Sequence, residues 1–147
     1  MRKPDLTLTR QDGQPYLLRW HVIPRNKRLN IYWHKFLGSD DDRALHDHPW
    51  WFVSILLKGR YWEHRADGSR HLRKAPSIAF RRADTAHRVE LVTGIKWIVP
   101  YRYVAEYVLP ATTLIITGPK IREWGFHCPQ GWKHWTKFDQ DNGCGEK

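Results

Sequence analysis

With 147 residues, 41% of them hydrophobic, and nine Trp, six Tyr and five Phe, the chain can bury one real core, and its aromatic content excludes a disordered polymer. Two cysteines are too few for a secreted disulfide scaffold, and the absence of a run of about 18 apolar residues excludes a membrane-spanning helix. The formal charge of +10 favours anionic partners, with basic residues scattered through "PRNKR", "RHLRK" and "FRR" rather than gathered into one tract.

These quantities set the first expectations. The chain should be a single domain over residues 1–147, with a core at about 16–126 and a tail at 127–147 that packs over the core or trails from it. The opening "MRKPDLTLTR" lacks an apolar core of signal-peptide length, so a cytoplasmic location is expected, with Cys128 and Cys144 reduced.

Along the chain, short β-branched and aromatic runs recur between turn residues, and helical periodicity is scarce. Strands are expected at 16–23, 29–36, 50–57, 60–65, 70–74, 77–82, 86–92, 112–117 and 120–126. Lys58-Gly59, Asp67-Gly68 and Gly118-Pro119 read as hairpin turns, because Gly accepts positive φ and Pro presets its own. Segment 93–111 carries two prolines among mixed aromatic residues and leaves three options: an inserted flap, a strand pair, or a short helix around Tyr103–Leu109. The spacing of the strands implies an all-β sandwich or barrel.

Within "ALHDHPWWFVSILLKGRYWEH", His46 and His48 stand two residues apart, and in a strand such side chains project from one face about 7 Å apart. Composition alone would produce one such pair about half the time. The sequence that follows adds information: continued alternation puts Trp50, Phe52, Ser54 and Leu56 on the histidine face, Gly59 ends the strand, and "SIAFRRADTAHRVELV" sets His87 at the start of another.

This arrangement resembles the cupin superfamily, whose first motif reads G-x5-H-x-H-x3,4-E-x6-G and whose second reads G-x5-P-x-G-x2-H-x3-N. His46, His48 and Gly59 match the first, and His87 the second. Phe52 stands at the glutamate position, Arg82 and Asp84 at the Pro and Gly positions, Leu91 at the asparagine, and Gly38 lies one residue early. "TGPKIREWGFHCPQGWKHW" is also similar to the C-terminal part of small uncharacterised cupin-like proteins of bacteria and phages. The resemblance implies a cupin-type double-stranded β-helix, a jelly-roll barrel, with one divalent transition metal on His46, His48 and His87.

Three neutral imidazoles leave an ion its full charge and open positions, and they suit Fe, Zn, Ni, Cu or Co without choosing among them. Cupins with three-histidine sets include thiol dioxygenases and diketone-cleaving oxygenases, so the resemblance implies a metal-dependent oxygenase acting on a small anionic substrate. The alternatives are a nucleotide-sugar isomerase or epimerase, an empty barrel that keeps only the fold, and a non-catalytic barrel for ligands or single-stranded nucleic acid, where rings would stack on bases. Arg81 is a candidate clamp for a carboxylate or phosphate, and Tyr61 and Glu63 are candidate acids or bases. Asp47, Asp84 and Glu63 are candidate acceptors that fix the imidazole tautomers.

In the tail, His127, Cys128, His134 and Cys144 lack paired zinc-ligand spacing; Trp124, Trp132 and Trp135 are expected to pack over the barrel, with Pro129 and Gly131 in a turn. Cys128 has no identifiable relay and is expected to be unreactive. Jelly-roll edges need cover, which makes a homodimer the expected assembly.

Overall fold

The computed structural model describes residues 2–10, 12–40, 44–100, 103–141 and 143–144. In chain order the elements are β1 (Leu6–Thr9), β2 (Pro15–His21), β3 (Asn30–Phe36), β4 (Leu45–His46), β5 (Phe52–Lys58), β6 (Arg60–Arg65), β7 (Arg70–Lys74), β8 (Ser77–Arg81), β9 (His87–Leu91), β10 (Thr93–Ile98), β11 (Tyr103–Val108), β12 (Ala111–Thr117), β13 (Gly125–Cys128), β14 (Gly131–His134) and a helix α1 (Trp135–Gln140).

Period-two burial is what turns these strands into two facing sheets. Asn30, Tyr32, His34 and Phe36 are buried in β3, as are Phe52, Ser54 and Leu56 in β5, His87, Val89 and Leu91 in β9, and Ala111, Thr113, Ile115 and Thr117 in β12. One six-stranded sheet has the order β1-β2-β3-β12-β5-β8, the other β14-β13-β4-β9-β6-β7. All pairings in them are antiparallel. Four adjacent strands of each, β3-β12-β5-β8 and β4-β9-β6-β7, carry jelly-roll connectivity: apart from the β6–β7 hairpin the chain crosses from sheet to sheet through these strands and closes with β12 between β3 and β5. The all-β jelly roll expected from the sequence is therefore the fold.

Leu17, Phe36, Leu56 and Ala111 from one sheet meet Tyr61, Val89 and Leu91 from the other in the main core. Leu56 is fully buried, and burial of such a side chain contributes about 1.5–3 kcal/mol. A second cluster of Tyr32, Phe52 and Ile115, with Trp50 against it, fills the end nearer the histidines.

The turn readings divide. Asp67-Gly68 closes the β6–β7 hairpin as expected. Lys58-Gly59 does not make a hairpin: β5 and β6 lie in different sheets, and Gly59 is the corner between them. Its φ is +88°, and a Cβ there would sit 2.6 Å from the carbonyl oxygen of Pro110. Gly59→Ala should lower the free energy of unfolding by about 1–3 kcal/mol, read from the urea midpoint; an unchanged midpoint would contradict the corner's tight fit.

Gly118-Pro119 ends β12 but opens a loop, and the strand expected at 120–126 is confined to Gly125–Cys128. Residues 120–124 are held instead by the Ile121 amide donating to Pro49 O and by Arg122 donating to the carbonyls of His48 and Ala83. Segment 93–111 takes the strand-pair option, β10 with β11, as a two-stranded ribbon outside both sheets; residues 101 and 102 of it lie outside the described residues.

β1, β14 and α1 have no counterpart among the expected elements. The tail's last residues, 145–147, lie outside the described set. Among the described residues, no helix is long and apolar enough to cross a membrane.

Candidate metal centre

His46 and His48 do not share one strand with Phe52. His46 closes the two-residue β4 in one sheet, Pro49 follows in the crossing, and Phe52 opens β5 in the other sheet. The interior is nonetheless common to all of them, because the crossing turns both histidines inward. His46 lies opposite His87 in the β4–β9 register, so the first and second motifs meet as neighbouring strands.

The three rings form a nearly regular triangle. Centroids lie 5.1 Å apart for His46–His48 and His46–His87 and 5.2 Å for His48–His87. One nitrogen from each lies within 4.8 Å of the other two, and His48 Nε2 is 2.9 Å from His87 Nε2. Ligand bonds of about 2.0–2.1 Å to one ion put nitrogens roughly 3–3.5 Å apart, so the set is close to ligand spacing.

Glu63, in the middle of β6, orients one ring of this triangle. The carboxylate accepts from His87 Nδ1 at 2.9 Å, which leaves the His87 Nε2 lone pair facing the other rings. Arg81, at the end of β8, donates to both Glu63 oxygens, at 2.9 Å and 2.5 Å. Burial alone would raise the Glu63 carboxyl; the hydrogen bonds from His87 and Arg81 outweigh it and hold it well below the usual carboxylate range.

His46 and His48 are kept neutral by their surroundings. Burial lowers the His46 pKa to about 4, opposed by Asp40, whose carboxylate lies 3.8 Å from His46 Nδ1. Burial also pushes His48 well below its ordinary value, helped by the neighbouring His46 and His87. Neutral imidazoles offer lone pairs, as a metal ligand must.

Phe52 stands where a carboxylate would join the ligand set. Its ring is 4.7 Å from that of His48 and 5.8 Å from that of His87, and Trp50 stacks on His48 at 5.1 Å while meeting Phe52 edge-on at 5.8 Å. The centre opens into a cavity of about 590 Å³ walled by aromatic and aliphatic side chains, among them Tyr32, Phe36, Phe52, Ile115 and Phe126.

The remaining candidates take unexpected places. Arg81 has no free fork for an anion, since it is spent on Glu63. The Tyr61 hydroxyl accepts from Arg73 at 2.6 Å, and burial raises its pKa above the ordinary value. Asp47 lies one residue from each of two histidines and so points to the opposite side. There it accepts from the Gly125 amide at 2.8 Å and from His127 and Trp132 at 3.0 Å each, and it pairs with Arg122 at 3.0 Å. Asp84 is exposed and pairs with Arg82.

The tail covers one end of the barrel. Trp124 stacks on Trp135 at 5.8 Å and Phe126 on Phe138 at 3.7 Å, while Trp132 is half exposed against Asp47. Cys128 and Cys144, expected as free thiols, are joined in a disulfide with Cα atoms 5.5 Å apart. α1 reverses the chain and returns residue 144 to the end of β13, a long-range contact that the spacing of the cysteines does not announce.

Several polar residues of the cavity are marked by no motif, among them Asp40, Arg19 and His34. Asp40 precedes the first motif; Arg19 and His34 lie on β2 and β3, where Arg19 Nε donates to His34 Nε2 at 2.8 Å. Their signal was the alternation in "YLLRWH" and "NIYWHKF", which puts both on the buried faces of their strands.

No family model and no curated protein sequence matches the chain. Solved structures do. The DMSP lyase DddQ from Ruegeria pomeroyi superposes with a TM-score of 0.58 at 12% identity, over 89% of this chain and 61% of that one. FeII HppE gives 0.53 at 13% identity over 80% and 59%, and an RmlC-like cupin with a double-stranded β-helix fold from Methanocaldococcus jannaschii gives 0.51 at 10% over 82% and 94%. At such identities the likeness is one of fold, and the fold is the cupin double-stranded β-helix.

Proposed function

We propose that the barrel is a metal-dependent enzyme of oxygenase type, with one divalent transition metal on His46, His48 and His87 and a small anionic substrate in the adjoining cavity. The observation that carries this reading is the triangle of three imidazoles, one of them oriented by a buried carboxylate, at the wall of an apolar cavity. A structural neighbour described as an FeII protein supports iron among the candidate ions.

The donor set fits such an ion. His87 is held by Glu63, which is itself locked by Arg81; these two are positioning residues, and their carboxylate–guanidinium pair stands behind the ligand rather than in front of a substrate. When bound, the metal would supply a Lewis-acid centre with positions open to substrate and dioxygen. Phe52 keeps a fourth protein ligand out and, with Trp50 and Tyr32, excludes water from the face that a substrate would occupy. Tyr61, bonded to Arg73 and raised by burial, stays protonated near neutral pH and can donate a proton but not remove one.

Oxygen consumption tests the reaction class. Iron(II)-loaded protein, offered a panel of small thiols, diketones and hydroxy acids, should take up dioxygen with at least one of them, and the zinc-loaded protein and the His46→Ala/His48→Ala variant should not. Stoichiometric iron binding with no uptake across the panel would overturn the oxygenase reading and leave a metal-binding barrel.

A further inference from the structure

We infer that Arg19, with His34 and Thr113 beside it, forms a second subsite in the cavity that takes the oxyanion head, a carboxylate or phosphate, of the molecule whose other end reaches the three histidines. The inference deepens the proposed function by giving its anionic substrate an anchor, and the anchor is chemically separate from the metal ligands.

Three arginines besides Arg25 line the cavity, and two of them are already committed. Arg81 is paired with Glu63 through both oxygens. Arg73 divides its donors among the Ser54 hydroxyl and carbonyl, the Tyr61 hydroxyl and Ser77. Arg19 differs: its Nε donates to His34 Nε2, its guanidinium lies 4.6 Å from the Tyr32 ring centre, and among the described residues its two terminal nitrogens meet no carboxylate. A guanidinium half-buried without a counter-ion is costly, and the planar pair of terminal N–H donors left over matches the two oxygens of a carboxylate or phosphate.

The neighbouring strands present further groups in the same row. Arg19 lies opposite His34 in the β2–β3 register, and His34 opposite Thr113 in the β3–β12 register. Thr113 Oγ1 is buried without a hydrogen-bond partner among the described residues, and Thr113 also lines the cavity. His34, which accepts from Arg19, must carry its own proton on Nδ1. Arg25, in the loop after β2, lines the same cavity and repels Arg19, so the rim carries a second positive charge.

The distance to the histidines is short enough for one small ligand. Tyr32, under the Arg19 guanidinium, belongs to the same cluster as Phe52 and Trp50, and those two rings touch His48. Both Arg19 and His34 act electrostatically on His48. A ligand with an oxyanion at one end, a metal-binding group at the other and a short apolar body between them matches this wall.

Inorganic phosphate and acetate are the probes, one for each kind of head, titrated calorimetrically into the full-length protein. Arg19→Met should weaken binding of the preferred anion about tenfold or more, while Arg82→Met, on the surface, should leave it unchanged. Phosphate favoured over acetate would assign a phosphate head, and the reverse a carboxylate. Because Arg19→Met could perturb folding, the wild-type protein supplies a second measurement: the bound anion should protect Arg19, and not Arg82, from phenylglyoxal modification read by mass spectrometry. Equal affinity in wild type and Arg19→Met, no affinity for either anion in wild type, or equal modification of Arg19 with and without the anion would overturn the subsite. The His46→Ala/His48→Ala variant separates this from the metal reading, since it should lose metal and keep the Arg19-dependent anion.

Discussion

Glu63→Gln should be among the most damaging single substitutions outside the three histidines. The side chain is 2% exposed and holds His87 and Arg81 together, so the amide would leave the Arg81 guanidinium without its counter-charge in a half-buried site. Breaking one partner of such a pair costs about 3–5 kcal/mol, to be read from urea unfolding of metal-stripped protein. Loss of the carboxylate behind His87 should weaken zinc about 10- to 100-fold in a chelator competition. Glu90→Gln is the control: Glu90 is more than one-third exposed beside His64, and its loss should cost less than about 1 kcal/mol. If Glu63→Gln left stability and zinc affinity within about twofold of wild type, Glu63 would not be the residue that orients the site.

Acid should weaken the metal-stripped protein well before the ordinary carboxylate range is reached. His46 has an ordinary pKa of 6.5 and a folded value of about 4 because burial penalises its charge. Between those values the unfolded chain binds a proton that the folded chain refuses, so stability is full above pH 6.5 and falls as the pH drops toward 4. The shift corresponds to about 3 kcal/mol, and His48, lowered for the same reason, acts in the same direction. Glu63, held low by its partners, adds its own loss further down, below about pH 4.5. Unfolding free energies measured from pH 7 to 4 should therefore slope downward, with a smaller slope in His46→Ala. A flat profile in the wild-type protein would show that the histidines are not kept neutral by burial.

How much of this was legible in the sequence depends on the range of the interaction. Alternation within single strands identified eight of the strands in outline and put Phe52, Ser54 and Leu56 together on the buried face of β5, because side-chain direction in a strand is a local property. The histidine triangle was legible for a related reason: His46 and His48 are two residues apart, and His87 keeps a motif's distance from them. The path of the chain was less legible. Residues 46 to 56 looked like one strand, and only the sheet pairing shows that Pro49 interrupts it and that Phe52 belongs to the opposite layer. "KIREW" has the alternation of a strand, but Arg122 and Ile121 find their partners at the crossing after β4, so tertiary contacts override the pattern.

The polar wiring was the least visible part. Glu63 could be chosen as an acid, a base or an acceptor for histidine, and only its position between His87 and Arg81 selects the last. Arg81 likewise had the right chemistry for an anion and the wrong neighbour, whereas Arg19, in an N-terminal strand that no motif marks, has the free fork. The disulfide between Cys128 and Cys144 is of the same kind, since it depends on α1 folding back onto β13.

Metal content is the most direct test of the three-histidine site. Protein purified without a histidine tag and the His46→Ala/His48→Ala variant, grown and purified in parallel, should be compared by elemental analysis. Close to one equivalent of a divalent transition metal is expected in the wild-type protein and only traces in the variant. Equal trace metal in the two proteins, which retain the same fold by circular dichroism, would rule that site out.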